Sequence, residues 1–275
     1  MRAAELIGDR YRIFALTPNR ERLDELRRLG LTPVVGDLDQ PRTLHKLAGL
    51  ADSVLHFAPP QTSGLRDLRT RNLLAALSQS LILPRRVVYI STSGVYGDRR
   101  GASTAETAPT APYSERAIRR RDAEDRLRRW AAQHAIRLSI LRAPGIYSER
   151  RLPTERLRKG TPALRHEEDS YSNHIHAADL ARAAIHALRF GTAGRVYNAC
   201  DDAPLKMGDY FDLVADACGL TRPPRIELAR AAETMPPALF SFMRESRRLE
   251  NTRLKKELRF TPDHPSVIEF LRRFE

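Results

Sequence analysis

The sequence is poor in cysteine and in aromatic residues, and it contains no long apolar run. Its two cysteines, Cys200 and Cys218, form no Cys-x-x-Cys pair, which argues against a disulfide framework and against a cysteine-based zinc site. No stretch approaches the ~18 apolar residues of a membrane span, and the N-terminal segment MRAAELIGDR lacks the apolar core of a signal peptide. We therefore expect a globular cytoplasmic protein without membrane association.

A glycine-rich phosphate-binding loop is also missing, since neither G-x-G-x-x-G nor G-x-x-G-x-x-G occurs in the 275 residues. In dinucleotide-binding folds this loop joins the first strand to the first helix, and its backbone N–H groups bind the pyrophosphate. Here residues 1–7 are predicted to end a helix at Gly8, and the first predicted strand is residues 11–17. The first strand of such a fold therefore has no counterpart.

The missing strand predicts a gap, because in this fold the first strand lies between the second and the fourth. Two strand edges would then be left unpaired in the middle of the sheet. We expect either that the coding sequence starts upstream of Met1 or that the fold is rearranged.

Acidic residues are outnumbered by basic ones, with 34 Asp and Glu against 47 Lys and Arg, which gives a net charge of +13. This excess favours anionic partners: nucleotides, phosphorylated substrates or nucleic acid. The arginines lie mostly opposite the apolar positions of helical segments, and no aromatic residues are interleaved with them as a base-stacking surface requires. A nucleic-acid partner is therefore disfavoured against a nucleotide and a small-molecule substrate.

Predicted strands alternate with predicted helices, which is typical of a parallel sheet with right-handed crossovers. After residues 11–17 the predicted strands include residues 52–58, 87–91, 138–141 and 196–200. The predicted helices include residues 21–29, 41–47, 65–79 and 116–134. Residues 148–170 are charged and proline-bearing, which favours a mobile loop over a cleft.

Several segments together carry a family resemblance: VVYISTSGVYG from Val87, TRNLLAA from Thr70, RAPGIYS from Arg142, YSNHIHAADLARA from Tyr171 and SRRLENTRLKKEL from Ser246. The chain resembles the extended short-chain dehydrogenase/reductase family, which includes the NAD-dependent epimerases and dehydratases. Its ending resembles a clade of NAD(P)-dependent oxidoreductases.

The resemblance implies an α/β fold: a Rossmann-like doubly wound parallel sheet, here without its first strand, with a small C-terminal α/β substrate lobe. Residues 1–145 and 171–200 would form the NAD(P)-binding domain. Residues 146–170 and 201–275 would form the substrate lobe. A homodimer is compatible with the resemblance.

The cofactor implied is NADP or NAD. After the second strand of the family, Thr17 and Arg20 would lie at the adenosine ribose, and with no acid there Arg20 favours NADP. Asp37 and Leu38 would lie beside the adenine, although an Asp after a strand is often only a turn former. The remaining cofactor-binding positions implied by the resemblance are Ala58, Pro59, Pro60, Arg142, Ala143 and Pro144.

The catalytic positions are altered. The family uses a Ser or Thr, a Tyr and a Lys, and the positive lysine lowers the phenol pKa. Thr92 occupies the hydroxyl position with Ser93 beside it, but Thr92 would equally bond local backbone at a strand end. Aligning on Glu124 puts Arg116 at the Tyr position and Arg120 at the Lys position.

A shifted alignment makes Tyr113 the phenol but places Ala117 at the Lys position, so the pair is broken in either alignment. Arginine stays protonated and cannot exchange a proton as tyrosine does. Tyr96, Tyr113 and His176 are the other candidate acids. Aromatic packing is the favoured role for Tyr96 and Tyr113, and the resemblance implies that His176 mainly orders the junction between a strand and the following helix.

No metal site is predicted, because His174 and His176 alternate on a strand and point to opposite faces. Asp179 is predicted to cap the following helix.

Three functions remain open. The first is an NAD(P)-dependent oxidoreductase or epimerase/dehydratase-like enzyme for a small sugar-like or phosphorylated substrate. The second is a non-catalytic NAD(P)-binding sensor or scaffold, since fold does not imply function. The third, and least favoured, is an RNA-binding relative.

Overall fold

A computed structural model describes residues 2–8 and 11–274 of the chain. Its strands are β1 (Phe14–Thr17), β2 (Thr32–Val35), β3 (Ser53–His56), β4 (Arg86–Thr92), β5 (Ser103–Thr104), β6 (Arg137–Ala143), β7 (Gly145–Tyr147), β8 (Ala163–Leu164), β9 (Tyr171–Ser172), β10 (His174–His176), β11 (Arg195–Asn198), β12 (Leu205–Lys206), β13 (Arg225–Ile226) and β14 (Arg248–Leu249).

Its helices are α1 (Arg2–Ile7), α2 (Leu23–Arg28), α3 (Leu68–Leu77), α4 (Glu115–Gln133), α5 (Thr154–Arg158), α6 (Ala177–Phe190), α7 (Met207–Ala217), α8 (Leu228–Thr234), α9 (Pro237–Met243), α10 (Thr252–Leu258) and α11 (Val267–Leu271). Short 3₁₀ helices cover Arg20–Arg22, Pro41–Leu47, Ser93–Tyr96, His166–Glu168 and Arg272–Phe274. Within the described ranges, none of these helices combines the length and apolar character that crossing a membrane requires.

The central sheet is parallel and has the strand order β11-β6-β4-β3. Strand β4 pairs with β6 along its whole length, from Arg86 opposite Arg137 to Thr92 opposite Ala143. These inner strands read as β-branched and apolar because both faces of the sheet are covered by helices. The predicted Rossmann-like α/β fold is thus confirmed.

Both faces of the sheet carry a continuous apolar core. On one face Val88, Ile90 and Leu141 pack with residues of α6 and α10, among them Ala184 and Leu258. On the other face a larger set packs beneath α3 and α4: Leu73, Leu77, Val87, Tyr89, Leu127, Trp130, Leu138 and Ile140. Alternate residues of one strand therefore serve opposite cores, as the pleat requires.

Strands β1 and β2 form a separate parallel pair, and among the described residues neither pairs with the central sheet. Thr32 donates its N–H to the Ile13 carbonyl, so residues 13, 15 and 17 face β2 and the backbone of Phe14 and Leu16 faces away. Just before β3, the Asp52 carbonyl accepts the Arg86 N–H, so the backbone N–H and C=O of Leu55 likewise face away from β4. The expected gap therefore lies between β1 and β3.

Helix α3 holds the two sheets together across this gap. The Asn72 side chain donates to the Leu38 carbonyl at 2.8 Å, which fixes the loop after β2. Arg69 binds both carboxylate oxygens of Asp39, at 2.8 and 2.6 Å, and donates to the Pro59 carbonyl at 3.1 Å in the loop after β3. One helix thus connects the carboxyl ends of strands that do not pair with each other.

The rest of the chain adds a second apolar cluster beside the carboxyl edge of the sheet. It joins α5, α7, α8 and α11 through residues such as Leu157, Tyr210, Phe211, Ala231 and Phe270. Helix α10 instead packs on the sheet, with Leu254 and Leu258 in the sheet core. The division into a cofactor domain and a substrate lobe remains a proposal.

Two local predictions are wrong. Residues 148–170 are not one extended mobile loop, because they contain α5 and β8, and β8 pairs with β13. Asp179 does not cap α6 either. It lies in the first turn of that helix and accepts N–H groups of Asp263 and His264 at 3.0 and 2.9 Å, so its role is to hold a distant segment.

We predict that hydrogen exchange reports the gap directly. The Leu55 amide faces the unpaired edge, whereas the Val54 amide faces β4, so Leu55 should exchange at least roughly 100-fold faster when each is followed by NMR. Val54 is the matched control, because it lies on the same strand. Equal protection of both amides would show that this edge is paired and would contradict the topology.

Candidate functional site

The segments implicated by the sequence meet at the carboxyl edge of the sheet. Thr17 ends β1, and the segments that follow β2, β3 and β4 carry Asp37, Ala58 and Ser93. Strands β1 and β2 are parallel to each other, as are β3 and β4. Ligands of open α/β sheets bind at this edge.

After β1 and β2 the side chains mainly shape turns. The Thr17 hydroxyl accepts the Asn19 N–H at 3.2 Å, and Asp37 accepts the Asp39 N–H at 2.8 Å. Arg20 is exposed, and its side chain forms no hydrogen bond or ion pair with any residue that the structure describes. Its guanidinium is therefore available to an anion at the edge of β1.

After β3 the chain runs through Ala58, the exposed Pro59 and the buried Pro60. Just before this loop, His56 is buried and its Nε2 lies 2.9 Å from the Thr70 hydroxyl, which also donates to Asp67. Burial, with a smaller effect of Arg120, lowers the pKa of His56 to about 3. His56 is thus a neutral structural residue that orders the start of α3.

Arg120 links the ends of β3 and β4. One terminal nitrogen of its guanidinium donates to the Ile90 carbonyl at 2.8 Å, to the Tyr89 hydroxyl at 3.0 Å and to the Ala58 carbonyl at 3.4 Å. Arg120 therefore places a permanent positive charge at the position where the family resemblance puts lysine. Burial raises the pKa of Tyr89, so this phenol stays protonated near neutral pH and cannot act as a base.

Thr92 and Ser93 lie at the turn where β4 ends. The Thr92 hydroxyl accepts the Gly94 N–H at 3.2 Å, so the local backbone role weighed above is observed, and its own proton remains available for donation. The backbone of Gly94 lies close to Ala117, since a Cβ atom added to Gly94 would be 3.5 Å from the Ala117 Cβ. This turn therefore packs against the first turn of α4. Ser93 is buried beneath it.

Tyr113 and Arg116 flank the same region. The Ala111 N–H donates to the Val95 carbonyl at 3.0 Å, which ties the segment before α4 to the turn after β4. Tyr113 follows with 74% of its surface exposed, and Arg116 is exposed in the first turn of α4. By contrast, the Tyr96 hydroxyl is buried and donates to Asn198 at 2.7 Å.

Arg142 is committed to a buried ion pair. It binds Glu124 on α4 through two bonds, at 3.0 and 2.7 Å, and Glu124 also accepts the Ser91 hydroxyl at 2.6 Å. Its guanidinium lies 4.6 Å from the Tyr96 ring centroid. The structure thus gives Arg142 a role in joining β6 to α4. Contact of the cofactor with Arg142, with the buried Ala143 or with the half-buried Pro144 stays a prediction.

A cavity of about 480 Å³ adjoins this edge, between β7 and α7. Its walls include Ile146, Arg156, His174, Tyr210 and Phe211. Arg156 donates to the Pro162 carbonyl at 2.6 Å and stacks over Phe211 at 4.5 Å, but its buried Nε has no partner among the described residues. Burial lowers the pKa of this guanidinium, and no carboxylate of the described chain pairs with it.

Behind the cavity wall lies a polar group that the sequence did not reveal. The Tyr147 hydroxyl, one oxygen of Asp201 and Nδ1 of His174 are buried without hydrogen-bond partners in the described part of the chain. The His174 ring lies 4.1 Å from the Tyr210 ring. Burial raises the pKa of Asp201 to about 8. These residues come from β7, β10 and the end of β11, so no short motif marks them.

A sequence model of the NAD dependent epimerase/dehydratase family matches residues 3–200. The chain is 27% identical over 207 residues to GDP-6-deoxy-D-mannose reductase from Pseudomonas aeruginosa, an alignment that covers 66% of this chain and 68% of that protein.

Solved structures share the fold along the whole chain. A conserved protein of unknown function from Silicibacter pomeroyi is 26% identical with a TM-score of 0.77, over 99% of this chain and 93% of the other. A dTDP-glucose 4,6-dehydratase double mutant from Streptomyces venezuelae, solved with NAD bound, is 19% identical with a TM-score of 0.76, over 98% and 91% of the two chains.

The raised pKa of Asp201 predicts a pH dependence of stability. Between the ordinary aspartate pKa, near 4, and about 8, folded Asp201 holds a proton that the unfolded chain releases. The free energy of unfolding therefore falls as pH rises through this range. Asp201→Asn, neutral at every pH, should flatten this fall and be more stable than the wild type at pH 8.5 by at least about 1 kcal/mol.

The measurement is urea unfolding from about pH 5 to pH 8.5. Asp202→Asn is the matched control. Asp202 is the exposed neighbour of Asp201 and pairs with Lys255 at 2.6 Å, so its replacement should shift stability by less than about 0.5 kcal/mol. Parallel pH profiles for Asp201→Asn and the wild type would contradict the prediction.

Proposed function

The chain belongs to the NAD-dependent epimerase/dehydratase family, and on that basis we propose that it is a nicotinamide-dinucleotide-dependent oxidoreductase or epimerase for a small, anionic, sugar-like molecule. The observation that carries the proposal is the position of Arg120. Its guanidinium joins the carboxyl ends of β3 and β4, at the edge where a dinucleotide binds in this class of fold.

The residues at this edge fit the two ends of a dinucleotide. Asp37 and Leu38 offer a surface for adenine, and Arg20 offers, for a ribose phosphate, a guanidinium that no described residue pairs with. The loop from Ala58 to Pro60 and the charge of Arg120 fit the nicotinamide ribose and a phosphate. No glycine-rich loop of the described residues supplies pyrophosphate donors, so Arg120 carries more of the binding at the pyrophosphate here.

The bound dinucleotide supplies the hydride acceptor or donor, and the chain supplies the proton and the positioning. Tyr113 is the exposed phenol held beside the turn after β4, and it is our candidate for exchanging a proton with the substrate. Thr92 can donate its hydroxyl proton to the same substrate oxygen. Arg116 and Arg120 keep the region positive, which suits an anionic substrate.

The proposed substrate follows from the cavity beside β7. A half-buried arginine without a carboxylate partner is costly unless a ligand brings the negative charge, and Arg156 is such a residue. Apolar and aromatic walls with few polar groups suit a ring-shaped molecule. The combination supports a phosphorylated or otherwise anionic sugar-like substrate.

A non-catalytic dinucleotide sensor is the second candidate. It is favoured by the broken Tyr–Lys pair, since among the described residues the phenol that Arg120 contacts is the fully buried Tyr89. RNA binding has less support, because arginines of α4 are paired along the helix: Arg119 with Glu115, Arg121 with Asp125 and Arg126 with Asp122. Turnover of NADPH with sugar phosphates would favour the enzyme over the sensor.

We predict saturable binding of NADPH and NADH in a fluorescence titration at low and moderate salt. Arg20→Gln should weaken NADPH binding about tenfold and leave NADH binding unchanged, because only NADPH carries the 2′-phosphate. Arg22→Gln is the matched control, since Arg22 lies on the same 3₁₀ helix but pairs with Glu25 at 3.0 Å.

The outcomes separate the candidates. Binding that persists at moderate salt supports the proposed function, whereas a steep loss with salt would indicate counterion release and an extended nucleic-acid partner. Absence of binding to either dinucleotide would overturn the proposal. An equal loss of NADH and NADPH binding in Arg20→Gln would reject only the role assigned to Arg20.

A further inference from the structure

A second cluster of chemical groups lies outside the sheet edge, where the end of β10 meets the C-terminal segment. His176 ends β10, Asp179 lies in the first turn of α6, and His264 precedes α11. One ligand atom from each residue lies within 4.8 Å of the others. The prediction of no metal site rested on His174 and His176, which alternate on one strand. His264 is distant in the sequence, and only the fold brings it to His176.

Three buried ring nitrogens of this cluster have no hydrogen-bond partner among the described residues. His176 is 98% buried, and neither of its nitrogens has a partner within the described ranges, nor does Nδ1 of His264. Three buried ring nitrogens without partners would each carry an unmet desolvation cost. Such groups call for an explanation, and a bound ion is one that fits their chemistry.

We propose that His176, His264 and Asp179 bind one first-row transition-metal ion of the Zn²⁺ class, with Glu149 as the fourth ligand. Imidazole nitrogens with carboxylate oxygens are a donor set that suits Zn²⁺, Co²⁺ and Ni²⁺. Glu149 lies 3.7 Å from Nε2 of His176, and Asp179 lies 3.4 Å from Nδ1 of His264.

The carboxylates are already oriented by neighbours, as ligands of metal sites usually are. Asp179 is held by Arg182 at 2.8 Å and by two backbone N–H groups, and Glu149 is held by Arg2 at 3.0 Å. Two carboxylates and two neutral imidazoles would balance a divalent charge. Arg182 also has a second partner in Asp263, at 2.7 Å, so it does not depend on Asp179 alone.

Two adjustments are required on binding. Glu149 lies outside the three-residue group whose ligand atoms are mutually within 4.8 Å, so its exposed side chain must turn further towards the ion. The two imidazole rings are stacked, with centroids 3.7 Å apart and planes at 31°, whereas lone pairs that share an ion must converge. The side chain of His264 is 16% exposed and lies on the connection before α11, so its ring has room to rotate towards His176. The ion would then fasten the C-terminal segment to the start of α6.

The test is metal binding to the untagged, chelator-treated protein. We expect Co²⁺ to give the intense visible d–d bands of four-coordinate cobalt at one ion per chain, and Zn²⁺ to raise the melting temperature by about 5 °C. His264→Gln should lose both effects, with affinity lowered at least about tenfold. His45→Gln, a change of an exposed histidine on another element, should keep both.

Every other result would overturn the proposal. A wild-type protein that shows only the weak spectrum of aqueous Co²⁺ and no thermal shift has no such site. An unchanged spectrum in His264→Gln would place the ion elsewhere, and an equal loss in His45→Gln would indicate surface binding. None of these outcomes bears on dinucleotide binding, for which we propose a different set of residues, in the segments after β1, β2, β3 and β4.

Discussion

The structure depends on how α3 joins two sheets that do not pair. Strands β1 and β3 end at the same edge but share no hydrogen bond in the described structure, so backbone pairing cannot fix their relative position. Asn72 and Arg69 take over this task by binding the loops after β2 and β3. The adenine end and the ribose end of the proposed cofactor site are therefore aligned by side chains of one helix.

On the other side of the site a buried charge network has the same role. Glu124 joins α4 to β4 through Ser91 and to β6 through Arg142, all with negligible exposure. Because α4 also carries Arg116 and Arg120, the network determines where these guanidinium groups lie relative to the turn after β4. A buried ion pair of this kind stabilises little by itself, but breaking it leaves an uncompensated charge.

Much of the fold could be predicted from the sequence because it follows from local patterns. The apolar strands β4 and β6, the helix α4 and the gap left by a missing strand were all predicted correctly, since strand length, helix periodicity and the absence of a glycine loop are readable in order. The predicted boundaries shifted where capping residues decided them: Ser114 caps α4, so the helix starts at Glu115, one residue before the expected start.

What could not be predicted depends on contacts between distant segments. Nothing near Asp179 shows that it holds Asp263 and His264, and nothing near Asp201 shows that burial raises its pKa to about 8. Arg120 was predictable only in part. The sequence predicted that it stands at the lysine position of the family, but its bonds to the Ile90 and Ala58 carbonyls were not predicted. Tertiary placement, not residue type, gives these groups their chemistry.

We propose that the dinucleotide binds at the carboxyl edge of the sheet. NMR mapping of amide shifts on addition of NADPH tests this most directly. The account predicts that the largest shifts fall together in the loops after β1, β2, β3 and β4, around Arg20, Leu38, Ala58 and Ser93, and leave α8 and α9 unchanged. Shifts spread over the basic surface, or confined to regions away from this edge, would contradict it.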